Sequence, residues 1–369
     1  MKRLVRRFFW SSTLLLIMSL LIPGHFQAQE ESVFSKRSKV DFSGMLQSQF
    51  HTTSVEGYIP MNSFLIRRAR LKATFKNPDE TLEGKVEMDA AEGKVVLQDG
   101  YVDLKVNDRM KIKMGQYKKP FSLWELTSDT ENMVIERANR IMGSENSYST
   151  NNVIVKDGGY ASRDIGVQVH GTAGKVDYAV GAFNGNGSHV AGDNESGKTI
   201  GGRLVVDVRE DLAIGAAVSN RMINDYQTIS GNDTTVSDEN FQAFEVDLDH
   251  GIGAKVEKTG PWIQAEFFFG KNPAFHSTDV NFMGFMAAAS YNFPTEENGL
   301  IRSVRPAFRF DLSQRDTDDD DTQTILITPG LDIFFDKYNR LAINLDVNMP
   351  KAEGLDTELG FRTQFQMII

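Results

Sequence analysis

The C-terminal end of the chain keeps a strict two-residue alternation. Leu359, Phe361, Thr363, Phe365, Met367 and Ile369 share one parity, while Glu358, Gly360, Arg362, Gln364 and Gln366 share the other. Successive side chains of a strand point to opposite faces, so one face of this segment is apolar and the other can be wet. A strand of this kind must be paired, and its apolar face must meet a core or lipid, because an open apolar edge recruits other chains. Similar alternation recurs from Val40 onward. It predicts an all-β fold, a closed transmembrane antiparallel β-barrel.

The first residues belong to a different kind of segment. Lys2, Arg3, Arg6 and Arg7 precede an apolar run from Phe8 to Pro23, and Ala28 marks a cleavage position. This layout is that of a secretory signal peptide. The expected organisation is therefore a signal peptide at 1–28, a lead-in at 29–38 and a barrel at 39–369. Without the four signal-peptide cations, the formal net charge of -10 becomes about -14, and an acidic surface of that size argues against nucleic acid as a partner. The chain has no cysteine, which excludes a disulfide framework and a thiolate metal site. No later segment approaches the roughly 18 apolar residues of a membrane helix, but barrel strands escape such a test because half their side chains face the lumen.

About 16 strands are expected: 40–50, 64–75, 82–90, 96–106, 110–117, 164–172, 176–184, 200–208, 212–220, 241–256, 262–270, 282–293, 304–312, 325–335, 341–349 and 358–369. Tight connections, such as 77–80, 107–109 and 209–211, alternate with longer ones, such as 186–199, 223–240 and 313–323. A membrane barrel sorts its connections in this way, with short periplasmic turns and longer extracellular loops. The longest connection, 118–163, is the third on the long side, and loops of this length are usually functional. Ser128, Asp129, Thr130 and Glu131, followed by Met133, Val134, Ile135, Arg137 and Ile141, predict a short capped helix within it. The apolar content of this stretch, with Trp124, favours folding into the lumen, where the loop would narrow the path.

Parity also assigns charged residues to the lumen. On the second strand Leu65, Ala69, Leu71, Ala73 and Phe75 share one parity, which puts Arg68, Arg70 and Lys72 on the opposite face. On the fifth, Met110, Ile112 and Met114 point outward, so Lys111 and Lys113 point inward, with Lys119 beyond the strand. A lipid-facing cation costs about 2–4 kcal/mol at the membrane midplane, so the alternation itself supports lumen placement. A basic pore wall draws in anions, and arginine adds forked donors that match phosphate oxygens. Arg67 breaks the parity and marks a rim position, a snorkelling side chain or a bulge. Carboxylates at Glu83, Glu87, Asp89, Asp99 and Asp103 offer the competing reading, in which the cations pair across the wall and stiffen it. Phe42, Phe50, Phe75, Phe293 and Phe335 fall near strand ends, where an aromatic girdle would lie.

The run Phe64-Leu65-Ile66-Arg67-Arg68-Ala69-Arg70-Leu71 resembles the signature strand of the phosphate-selective porin O and P family. Leu97–Asp103, Met114–Ser122, Ile135-Glu136-Arg137, Arg163–Gln168 and Gly181–Gly187 follow in matching order. The resemblance implies a sixteen-stranded outer-membrane channel, often trimeric, with an inward-folded third loop and a basic path for phosphate-like anions. Arg137 and Arg140 of that loop are then candidates near the constriction. The implied partners are outer-membrane lipid and lipopolysaccharide around the barrel and small anionic solutes within it.

Other motifs fail on context. Residues 192–199 (Gly-Asp-Asn-Glu-Ser-Gly-Lys-Thr) match the phosphate-binding loop letter for letter. That motif needs a strand before it and a helix after it, whereas a polar loop precedes this one and a strand follows. The aspartates from Asp316 to Asp321 lack the glycine and terminal glutamate of a calcium loop. His51, His170, His189, His250 and His276 show no metal-ligand spacing, and there is no nucleophile elbow. No catalytic, cofactor-binding or metal site is expected. The rival class is a narrow or plugged barrel acting as an adhesin or a membrane-embedded hydrolase, which would need no open pore.

Overall fold

The computed structural model describes residues 38–369, apart from 92, 145–149, 189, 191–196, 231–232, 252–258 and 297–298. The expected signal peptide, most of the lead-in and most of the 192–199 motif lie outside these residues.

Sixteen strands run in chain order: β1 (Lys39–Thr53), β2 (Asn62–Lys76), β3 (Leu82–Asp89), β4 (Val96–Asn107), β5 (Met110–Lys118), β6 (Arg163–Ala173), β7 (Val176–Phe183) and β8 (Thr199–Arg209). They continue as β9 (Leu212–Ser230), β10 (Asp233–His250), β11 (Gly260–Lys271), β12 (Asn281–Pro294), β13 (Ser303–Gln314), β14 (Gln323–Phe334), β15 (Arg340–Pro350) and β16 (Glu358–Ile368). Every strand pairs antiparallel with its sequence neighbours, and β16 pairs with β1 from Met45↔Ile368 to Thr53↔Gly360, so the sheet is a closed barrel. Closure satisfies the backbone polar groups that an open edge would leave bare in lipid. On β16 the alternation reads as expected: Leu359, Phe361, Phe365 and Met367 are exposed on the outer face, while Arg362, Gln364 and Gln366 are buried inside. Phe42, Phe75 and Phe293 are likewise exposed on the outside, and Phe50 meets Phe64 at 4.8 Å between ring centroids.

Two expectations change. The 223–240 stretch is not a loop, because β9 and β10 continue through it as a long hairpin in which Asn240 pairs with Met222 and Asp233 with Ser230. Its many polar residues concealed the strands: a hairpin that leaves the membrane needs ladder hydrogen bonds but no apolar outer face. Tyr226 packing edge-on to Phe241 at 4.7 Å anchors it from within. The second change concerns the long connection. No helix forms over 128–141; the helices there are α1 (Leu123–Leu126) and α2 (Asn151–Asp157). One turn begins at Ser128, whose carbonyl accepts from Asn132 N at 3.2 Å, and goes no further. Wall side chains take the backbone groups that a helix would have used.

Those side chains place the described residues of 119–162 inside the barrel. Ile135 N donates to Asn344 Oδ1 at 2.6 Å, and Arg309 Nη1 donates to the carbonyls of Glu136 and Arg137 at 2.8 and 2.7 Å. Arg305 and Arg340 both reach the carbonyl of Asn132, at 3.2 and 2.8 Å. At the other end of the loop the polarity reverses. Glu245 accepts from Ser122 N and Leu123 N, and Glu266 accepts from Trp124 N. Apolar contacts complete the seat: Trp124, Met133 and Val134 cluster with Trp262, Met286, Ala288 and Ala307, and Phe121, Ile154, Val155 and Tyr160 with Phe241, Phe268 and Phe282. Each large side chain buried this way contributes about 1.5–3 kcal/mol relative to exposure. The apolar core therefore forms between the loop and one sector of the inner wall, where polarity alone had predicted a wet lumen.

Gly115, just before the loop departs, has φ of +132°, and a Cβ there would lie 2.2 Å from the Gly100 carbonyl oxygen. Gly115→Val should lower barrel stability by about 1–3 kcal/mol, read as a lower temperature for the shift from folded to unfolded migration on a gel.

Candidate functional site

The site begins with a bulge. On β1 and β2 the pairing runs Gln47↔Arg68 and then Ser48↔Ile66, so Arg67 is the extra residue. A bulge re-aims side chains, and this one turns both Arg67 and Arg68 inward. It also flips the parity upstream: Phe64 and Ile66 are exposed on the outer face, whereas Leu65 stands opposite the buried, inward Gln49. The parity break at Arg67 was thus a true signal, and the expectation that Leu65 faces outward is corrected.

Two loop carboxylates meet this row of arginines. Glu136 takes Arg67 in a forked contact, Nε at 2.5 Å and Nη2 at 3.2 Å, and also accepts from Gln49 at 3.1 Å. Asp129 takes Arg70 Nη1 at 2.6 Å and Arg68 Nε at 3.4 Å, and is bonded by Arg137 Nη1. Burial opposes the charged form of both. The guanidinium groups outweigh it, Arg137, Arg68 and Arg70 at Asp129 and Arg67, Arg68 and Arg140 at Glu136, and hold both carboxyls well below the usual range.

Between loop and wall lies a cavity of about 280 Å³. Its lining is Arg67, Arg68, Arg70, Lys94, Arg137, Arg140, Lys156 and Arg163 on the basic side and Asp89, Glu125, Asp129 and Glu136 on the acidic side, with few apolar atoms. Among the described residues of the lining, basic outnumber acidic by eight to four.

The sequence profile of "Phosphate-selective porin O and P" matches residues 40–307. The chain belongs to the phosphate-selective porin O and P family.

Solved structures agree on the barrel of this porin. OprB of Pseudomonas putida aligns with a TM-score of 0.64 at 11% identity, covering 89% of this chain and 94% of that one. In-vitro folded OmpT of Vibrio cholerae in its trimer form gives 0.59 at 13% identity, covering 90% of this chain and 100% of that one. The outer membrane channel DcaP of Acinetobacter baumannii gives 0.55 at 13% identity, covering 90% of this chain and 99% of that one. Likeness at these identities is one of fold. A comparison with curated proteins returned no match.

The structure divides the expected basic residues of this porin into four groups. Arg68, Arg70, Arg137 and Arg140 meet at the cavity, with Arg140 half-exposed at 54%. Lys111 and Lys113 stand below on β5. Lys111 lines a second cavity of about 400 Å³ with Arg109, His170 and Arg203, while Lys113 pairs with Asp103 at 3.6 Å and lies over the Tyr101 ring at 4.5 Å. Lys72 stands opposite Glu87 on β3. Lys119 does not line open lumen. It is 1% exposed and donates to the Gly159 carbonyl at 2.6 Å, with Asp164 at 3.3 Å, which ties the root of the loop to its end. Burial pushes its ammonium down to about 8, with Asp164 opposing the shift.

The wall pairing expected as the rival role is also present. Arg70 Nε bonds Asp89 at 2.9 Å and Lys85 bonds Asp99 at 2.7 Å. Sequence reasoning did not select Lys94, Lys156 and Arg163 for the cavity, because they sit in a loop, in the short helix α2 and at a strand start, where too few residues set a period that assigns a face. It also did not select Asp129 and Glu136, although both stood in stretches it had singled out.

Proposed function

We propose that this porin is a passive outer-membrane diffusion channel favouring small anions, with 119–162 as its constriction loop. The observation that carries the reading is the unequal lining of the cavity, eight basic against four acidic among the described residues. A narrow path with low-dielectric walls focuses such an excess into a field that concentrates anions and repels cations. Arg68 and Arg70 act at the narrowing with Arg140 at its rim, and Lys72, Lys111 and Lys113 extend the basic wall. Arg137 and Lys119 serve by anchoring the loop. Export by the signal peptide, a boundary of lipid and lipopolysaccharide, and assembly as a homotrimer complete the proposal; the trimer form solved for OmpT supports the last of these.

Recording from the refolded barrel in a potassium chloride gradient tests this. The expected reversal potential is that of an anion-preferring pore. Cation preference would remove the anion reading and leave the channel. Silence from barrels verified by heat-modifiable migration would favour the plugged alternative.

A further inference from the structure

One sector of the outer surface differs from the rest in height and in composition. β3, β5 and β7 are 8, 9 and 8 residues long, against 12 for β11 and 14 for β12. Eight residues rising about 3.3 Å each and tilted by about 40° lift a wall roughly 20 Å, about 5 Å less than the apolar band of an outer-membrane barrel. The aromatic girdle stops at the same place. Phe244, Phe269, Phe285, Phe308, Phe361 and Phe365 are exposed on the wall from β10 to β16. Among the described residues of 82–208, which include β3 to β8, every exposed large apolar side chain is aliphatic or a methionine. Val86, Met114 and Leu204 stand beside the inward, ion-paired Lys85, Lys113 and Arg203, so they face outward. Beside β3, the connection from β1 to β2 adds Ile59, 88% exposed, and Met61. Aromatic girdles fix a wall at the headgroup level of lipid, and a wall that meets protein has no use for one.

We infer that β3 to β8 form the face on which copies of this chain meet, a reading that rests on the homo-oligomer proposed above and names its contact. A low wall in lipid forces the bilayer to thin, at a cost that grows with each ångström of mismatch. A neighbour of equal height removes that cost, and a second copy presents such a wall at the same level of the membrane. The area suffices: six strands about 4.8 Å apart and about 26 Å long give roughly 750 Å² per copy, close to the roughly 800 Å² per partner of a stable interface.

The test uses refolded barrels in bilayers whose acyl chains carry bromine, which quenches an indole it touches. Met114→Trp and Val180→Trp report on the low wall, and Phe308→Trp and Phe361→Trp on the aromatic wall. Each is read against the wild type, so that the native tryptophans cancel, and the oligomeric state is measured in the same bilayers by chemical cross-linking. The low-wall indoles should be quenched several-fold less than the other two. A low-wall variant that falls to single barrels, while the wild type and Phe308→Trp stay assembled, also places its residue at the contact. Assembled barrels whose low-wall indoles are quenched as strongly as the aromatic-wall ones overturn the inference, because lipid then covers that sector and the copies meet elsewhere. Single barrels of the wild type overturn the oligomer beneath it, an outcome visible before any quenching is read.

Discussion

Replacing Arg309 by methionine should raise single-channel conductance several-fold and weaken anion preference, although Arg309 does not line the cavity. The side chain is 0% exposed. Nη1 donates to the carbonyls of Glu136 and Arg137, and Nη2 donates to Thr328 Oγ1 at 3.1 Å and faces Asp346 at 3.7 Å. Those two carbonyls belong to the residues whose side chains hold Arg67 and Asp129, so Arg309 sets the loop's position at the point where the path narrows. Methionine keeps much of the volume but supplies no donor. Two buried carbonyls would then lose their partner, and Asp346 would keep Arg362 as its one cationic partner among the described residues, beside the Thr328 hydroxyl at 2.6 Å. Removing one member of a buried pair costs about 3–5 kcal/mol. The 136–137 stretch should then shift from the wall at the narrowing, while the apolar seat holds the rest of the loop and the barrel persists. The control is Arg209→Met: Arg209 pairs with Asp211 in an exposed turn, its side chain 61% accessible, and such a pair contributes at most about 1 kcal/mol. Conductance and selectivity of that variant should match the wild type. An Arg309 variant with unchanged conductance would show that the remaining contacts, Arg305 and Arg340 on Asn132 and the apolar seat, hold the loop without it.

All sixteen strands were legible because lipid enforces alternation over the height of the membrane and nowhere else. The same reason explains what was missed. Above the membrane, β9 and β10 pair through Thr228↔Thr235 and Tyr226↔Ser237 with no apolar outer face to betray them. Inside, alternation gives the face but not what that face meets. Phe241, Ala243, Phe268 and Phe282 occupy lumen positions, and only the loop lying on them explains why they are apolar. The loop itself escaped the helical reading because its backbone partners are supplied by Arg305, Arg309, Arg340 and Asn344, roughly 170–210 residues away in sequence. Short-range signals at Ser128 could not weigh such partners. The signals that did locate the site were a broken parity at Arg67 and a short motif, Ile135-Glu136-Arg137, and the structure joins them in one forked contact.

Arg68→Glu with Arg70→Glu should bring the reversal potential close to zero. The described residues of the lining include eight basic and four acidic ones, and converting two of the first into the second leaves six of each. A balanced lining still polarises solutes across the path but no longer carries a net field along it, so chloride and potassium should pass in proportion to their mobilities. The reversals also act on the loop. Asp129 loses two cationic partners and gains two like charges, leaving Arg137 as its main support. Altered loop position could by itself change selectivity, and a second variant separates the two causes. Arg68→Gln with Arg70→Gln removes the same cations without adding repulsion and leaves six basic residues against four acidic ones. If the net field governs selection, this variant should keep roughly half of the wild-type excess and show an intermediate reversal potential at near wild-type conductance. If loop displacement governs instead, selectivity should follow conductance, and the variant with the larger pore should be the less selective whatever its charge. Anion preference retained in full by both variants would place the selecting charges elsewhere along the barrel, with Lys111 and Arg203 of the lower cavity the next residues to reverse.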